Sequence, residues 1–182
     1  RRTARSPATT RRSVAQGLIA LAGEAGFQPE LLRGGVHWRM PLQYAVHRVP
    51  LVTIPQGKIG YVFARDGAPL APMQALGSNV AARNFEDVGA FLASGGQRGP
   101  QRQILREGTY AINLVQFVVV TDEKLYYLSL SKDDSHVFHE MASVIEDRAG
   151  FVPVVIKGES DLIGIVTVHD GPALGNGEII AP

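Results

Sequence analysis

Cysteine is absent from the 182 residues, which excludes disulfide frameworks and thiolate metal sites without choosing a compartment. Long apolar runs are missing too. The longest candidate, LIALAG at 18–23, falls far short of the roughly 20 residues that cross a bilayer. No serine stands in a G-x-S-x-G context, and no initiator Met precedes Arg1. The chain is therefore expected to be an internal fragment of a longer protein, with a missing start and a missing end.

Two stretches invite a catalytic or ligand-binding reading and lack what it requires. The loop GGQRGPQR at 95–102 has the glycines of a phosphate cradle, but a P-loop ends in Lys-Ser/Thr at a strand-to-helix junction. Here Gly99 is followed by Pro100, which has no N–H, and the loop follows a helical pattern and precedes a strand-like one. It is an ordinary turn or a partner-contact loop, with Gln97, Arg98, Gln101 and Arg102 as its contact residues. His136 and His139, followed by Glu140, have neither the order nor the spacing of H-E-x-x-H and are expected at the surface of a helix start. No nucleophile, base and orienter come together, so a non-enzyme with no cofactor and no metal is expected.

What is present begins with charge. Residues 1–50 hold eight Arg against Glu24 and Glu30, a balance of +6, and the rest holds ten basic and fifteen acidic residues, −5, which sum to the net +1. Arg1, Arg2, Arg5, Arg11 and Arg12 crowd the first twelve residues among Ser, Thr and Pro, as in an unstructured basic arm. A solvated tail, a nucleic-acid arm and a juxtamembrane arm all share that composition. The lack of interleaved aromatics and of a binding motif argues against nucleic acid as a partner. An apolar content of 45% and a charged content of 19% are those of a folded domain, and exclude disorder along the whole chain.

The chain also says one phrase twice. IGYVFARDGAPL at 59–70 and IGIVTVHDGPAL at 163–174 match at a constant offset of 104 (164 − 60), and LLRGGVH at 31–37 is echoed by ILREGTY at 104–110 with an offset of 73 (108 − 35). Two echoes in the same order predict tandem copies of one β-rich unit. The second would carry an insertion of 31 residues (104 − 73). Asp66 and Asp170 each belong to an Asp-Gly turn, which accounts for both without catalysis.

Local patterns fill in the elements. Ser13 to Gly26 reads as a short helix, with capping-box spacing at Ser13 and Gln16 and with Val14, Leu18, Leu21, Ala22 and Ala25 at helical intervals. Lys58–Ala64 reads as a strand, with Ile59, Tyr61 and Phe63 on one face as Ile163, Ile165 and Thr167 would be in the second copy. Residues 71–83 read as loop. Asn84 caps a helix with Phe85, Val88, Phe91 and Leu92 on one face and Gly95 as its stop. Asn113–Val120 and Lys124–Ser131 form a hairpin around TDEK. Asp133, Asp134 and Ser135 open a helix to Arg148, with Val137, Met141, Val144 and Ile145 as its buried stripe and Gly150 as its end. Phe151–Ile156 and Asp161–Val168 read as the last strands.

Three segments, RGGVHWRMP, VPLVTIPQGKIGYVFARDG and NFEDVGAFLASGGQRGPQRQILREGTYAIN, together resemble the SPFH or band-7 superfamily of stomatins, prohibitins and flotillins, closest to a flotillin-like bacterial branch. The resemblance runs from Leu31 to Pro182. It implies a module of mixed β-sheet and helix; the sequence echoes, which depart from the family's single-module members, add the expectation of an α+β fold of two tandem SPFH-like β-rich units, the second with an inserted helix: a basic arm and helix at 1–30, a first unit at 31–103 and a second at 104–182. It implies a membrane-associated, homo-oligomerising scaffold of membrane microdomains on the cytoplasmic face of a bacterial inner membrane. The anchor would lie before Arg1 and a coiled coil after Pro182. Some family members restrain membrane proteases, so an adaptor for a membrane-bound protease or transporter is the alternative. Lipids are then partners, and Arg11, Arg12, Phe27, Leu31, Leu32 and Trp38 are expected to face the membrane. A Trp near Arg suits that interface, although a lone Trp packed on the sheet fits the same sequence.

Overall fold

The computed structural model describes residues 17–156, 158 and 163–167. The fold is α+β. In chain order the elements are β1 (Val52–Ile54), β2 (Tyr61–Ala64), α1 (Val88–Ala93), β3 (Gly99–Pro100), β4 (Gly108–Tyr110), β5 (Phe117–Val120), β6 (Leu125–Tyr126) and α2 (Asp134–Asp147). They form a two-stranded sheet, β1–β4, and a four-stranded sheet in the order β3-β2-β5-β6, antiparallel throughout.

The β2–β5 pair is the centre. Tyr61 lies opposite Val120, and Ala64 opposite Phe117. Successive side chains of a strand point to opposite faces, and here both faces are covered. Val62, Ala64, Phe117 and Val119 join the main core with Phe85, Val88, Phe91 and the β1 residues Val52 and Ile54. Tyr61, Phe63, Val118 and Val120 meet Phe138, Met141 and Ile145 of α2. The FVVV run of β5 is buried at every position, which explains why it shows no alternation in the sequence. Tyr126 ties the sheets together, its hydroxyl accepting from Thr53 N and donating to Thr53 O at 3.1 Å.

Both sheets pair strands from either side of the 103/104 boundary. Strands β1 and β2 thus share a core with segments that follow residue 104, among them Leu105, Phe117 and Val119. The repeated phrase departs from expectation. Residues 61–64 form a central strand, but 163–167 carry no strand, and Ile163, Ile165 and Val166 are exposed. Asp170 and Gly171 lie outside the described residues.

Several local expectations hold. The loop at 71–83 has no helix or strand. Around TDEK, β5 and β6 form the hairpin, with Val120 opposite Leu125 and the Thr121 hydroxyl donating to Lys124 O at 2.8 Å and accepting from Lys124 N. Phe85, Val88 and Phe91 are buried as one face. The cap is Asp87, not Asn84: the Asp87 carboxylate accepts from Ala90 N at 2.8 Å. Arg83, Asn84 and Phe85 all take positive φ, 46°, 54° and 65°. Such a left-handed turn costs about 1–2 kcal/mol per residue, offset here by setting the Phe85 ring against Phe91 and Phe117.

Other expectations are corrected. Gly17–Gly26 is not helical. Leu18 N donates to the Asp66 carboxylate at 2.6 Å, Ala20 N to Phe27 O at 2.8 Å, and Ile19 enters the core. These anchors, with Gly23 at φ 83°, hold an irregular clip in place of a weak helix. Helix α2 forms where expected but is rotated by about one position. Phe138, Met141, Ala142 and Ile145 face the sheet, whereas Val137 and Val144 are 47% and 45% exposed. Phe138 sets that register, its ring 5.0 Å from Tyr127 and 5.0 Å beneath the Arg65 guanidinium. The helix closes through left-handed Ala149, and Gly150 N bonds Ile145 O. Residues 152–156 are exposed and carry no strand.

Candidate functional site

Two surfaces gather the residues singled out by sequence. The first runs from the clip to β1. Phe27 does not face outward: it packs on the core, with His47 5.8 Å from its ring. Leu31 is half-buried, Leu32 is 42% exposed, and Arg11 and Arg12 lie outside the described residues. Trp38 does not pack on the sheet; it is 89% exposed. It has company that the sequence reading missed. Val36, Met40, Leu42, Tyr44 and Val46 are all exposed, Leu42 at 98%. Every second position from 36 to 46 is apolar, a period-two signal that was legible but masked by Pro41 and the glycine pair before it. Met40 O accepts from both Gln43 N and Tyr44 N at 3.0 Å, so the segment turns back at 41–43.

The charge of this stretch is one-sided. No Asp or Glu stands between Glu30 and Asp66, whereas Arg33, Arg39, Arg48, Lys58 and Arg65 do. Lys58 pairs with Asp122, which raises its pKa, and Arg65 pairs with Asp134 at 3.4 Å. Arg33 reaches Glu86 at 3.5 Å. Arg39 lies 5.8 Å over the Tyr44 ring and donates to Trp38 O.

The second surface is the loop 95–102, which splits by residue type. Its glutamines build the loop. Gln97 Oε1 accepts from Gln74 Nε2 at 2.8 Å and Ser78 N at 2.9 Å, and buried Gln101 donates to the carbonyls of Gln97 and Gly99 at 2.7 and 2.8 Å. Gln101 is therefore a structural brace, removed from any contact face. Arg98 and Arg102 are exposed. Beside them a groove of about 430 Å³ is lined by Phe63, Pro69, Leu70, Arg65 and Arg98.

Chemistry beyond binding finds little material. Asp66 accepts from Leu18 N and Gly67 N, a fastening role. His139 Nδ1 is 2.6 Å from Ser135 O, and His136 stands 3.9 Å from Glu140 on the open helix surface. Among the described residues no three His, Asp or Glu groups are placed to hold a metal ion, and no helix is long and apolar enough to cross a membrane. The Asp134 carboxyl is held below its usual pKa chiefly by the Leu130 N–H, and burial lowers the Arg65 guanidinium. Both belong to the seam under α2. Comparison of the chain with family models, curated proteins and solved structures gives no match.

Proposed function

We infer that this chain is the SPFH-like, membrane-apposed module of an oligomerising scaffold that organises membrane microdomains from the cytoplasmic face, without catalysis. The observation that carries the reading is the carboxylate-free stretch from Leu31 to Arg65, with its arginines beside exposed apolar side chains. Anionic lipid attracts such a stretch at about 1 kcal/mol per cation, so Arg33, Arg39 and Arg48 supply roughly 3 kcal/mol at most, an apposition that salt weakens. The family resemblance supports the same reading. Its most specific segment, Asn84–Asn113, contains α1, β3 and β4. The tandem-unit organisation rests on the sequence echo alone.

Sedimentation with vesicles tests the reading. Retention on vesicles containing phosphatidylserine, reduced at 0.5 M salt and weak on phosphatidylcholine alone, is expected; equal behaviour on both lipids at low salt would sink it. The adaptor reading draws on the groove at Phe63, Leu70 and Arg98. A scaffold stays a large assembly when the full-length protein is purified alone, whereas an adaptor needs its client.

A further inference from the structure

We propose that the loop Val36–Val46 is a membrane-inserting element whose apex, Trp38, Met40 and Leu42, enters the headgroup–acyl boundary of an anionic bilayer. This deepens the membrane-apposition reading and rests on it. Three observations converge on the loop. Its apolar side chains are among the most exposed of the fold: Val36 and Trp38 at 89%, Leu42 at 98%. A soluble surface scatters such residues singly, so a run of them at alternate positions marks an interaction site. The turn at Met40–Tyr44 places Leu42 at the tip. His37 and Arg39 lie within the loop, and Arg33, beside Glu86, with His47 and Arg48 flank it, with no carboxylate of the loop's own.

Geometry chooses lipid over another chain. Strand pairing with a second copy needs a straight edge in register, and the reversal at 41–43 interrupts that edge. A lipid surface needs no register. It accepts a curved apolar tip with cations behind it, the ring of Trp38 at headgroup level and guanidinium groups reaching phosphate. The membrane-facing set therefore shifts along the chain: Phe27 belongs to the core, and the tip residues are Trp38, Met40 and Leu42.

Trp38 is the only tryptophan, so its fluorescence reports this loop alone. The 182-residue chain is mixed with vesicles of phosphatidylcholine, with or without phosphatidylserine, and with brominated-chain versions of the same lipids. Blue-shifted emission and quenching by the brominated chains are expected on the anionic vesicles. Leu42→Asp should weaken binding roughly tenfold to a hundredfold, the range for losing one buried leucine side chain. Its melting temperature should not change, because Leu42 is 98% exposed. Bound protein with Trp38 emission unmoved overturns insertion and leaves salt-dependent apposition standing. No binding at low salt overturns both. An equal response on neutral vesicles overturns the anionic partner. A blue shift on concentrating the protein without lipid, together with a doubled mass, overturns the proposal in favour of a second copy covering the loop.

Discussion

Gly67→Ala is a sharp perturbation because it meets two obstacles at once. Gly67 has φ 140°, a region that residues with a Cβ rarely enter. A methyl group there would also run into the Gly96 carbonyl oxygen, with Arg98 N at 3.0 Å and Gln97 C at 3.1 Å. All three are backbone atoms of the 95–98 turn, itself fixed by Ala68 N→Gly96 O and Arg98 N→Ala68 O, both 2.9 Å. They cannot swing aside as a side chain would. Backbone strain contributes about 1–3 kcal/mol and overpacking about 1–3 kcal/mol more. The sum, roughly 2–6 kcal/mol, is a large part of an ordinary domain's stability. It should lower the melting temperature by about 4–24 °C at 2–4 °C per kcal/mol. The control is Gly95→Ala, at φ 78° with nothing near its missing side chain; it should cost about 1–2 kcal/mol, the left-handed backbone penalty alone. Thermal melts followed by circular dichroism give both values. Equal losses for the two variants would mean that the Asp66-Gly67 turn and the 95–98 loop do not approach as described.

Two further outcomes follow from the α2 seam. Asp134 has a lowered folded pKa, so its contribution is complete above the unfolded carboxyl's value and is lost as pH falls through the folded one. Asp134→Asn should therefore destabilise by about 0.5–1 kcal/mol at pH 7, the charged contacts being screened by solvent, and the gap to the parent protein should close as pH falls below the carboxyl's folded pKa; a gap that persists once the carboxyl is protonated would refute the ionic origin. Phe138→Ala should cost about 3–5 kcal/mol, whereas Val137→Ala and Val144→Ala should stay within about 0.5 kcal/mol. Denaturant titrations showing the reverse order would restore the stripe expected from sequence.

What the sequence disclosed was local. The TDEK hairpin was legible because a valine-rich run, a polar turn and a second run lie within the nineteen residues 113–131. Val88 and Phe91 were legible because helical spacing is a short-range property, whereas Phe85 joins them from the left-handed turn before α1. What it concealed depends on distant partners. No pattern within 52–64 announces that β1 and β2 pair with β4 and β5. The register of α2 is chosen by Arg65 and Tyr127, which lie outside the helix. The helical pattern at 17–26 yields to Asp66, 48 residues away from Leu18. The β-branched run at 152–156 has strand composition but pairs with no strand among the described residues. At the surfaces, chemistry was easier to anticipate than direction. Arg98, Arg102 and Trp38 are exposed as a contact role requires, whereas Gln97 and Gln101 carry the same polar signature and turn inward.

The pairing of β2 with β5 also sets an order of events in time. Val62 and Ala64 find their partners only when Phe117–Val120 has been made. At roughly 5–20 residues per second of synthesis, the chain waits about 3–12 s between emergence of β2 and arrival of β5. Throughout that interval the Val36–Val46 loop, which depends on neither strand for its turn, is already outside the ribosome. On the proposed insertion, contact with a bilayer would therefore precede folding of the core, the loop arriving first and the finished domain second.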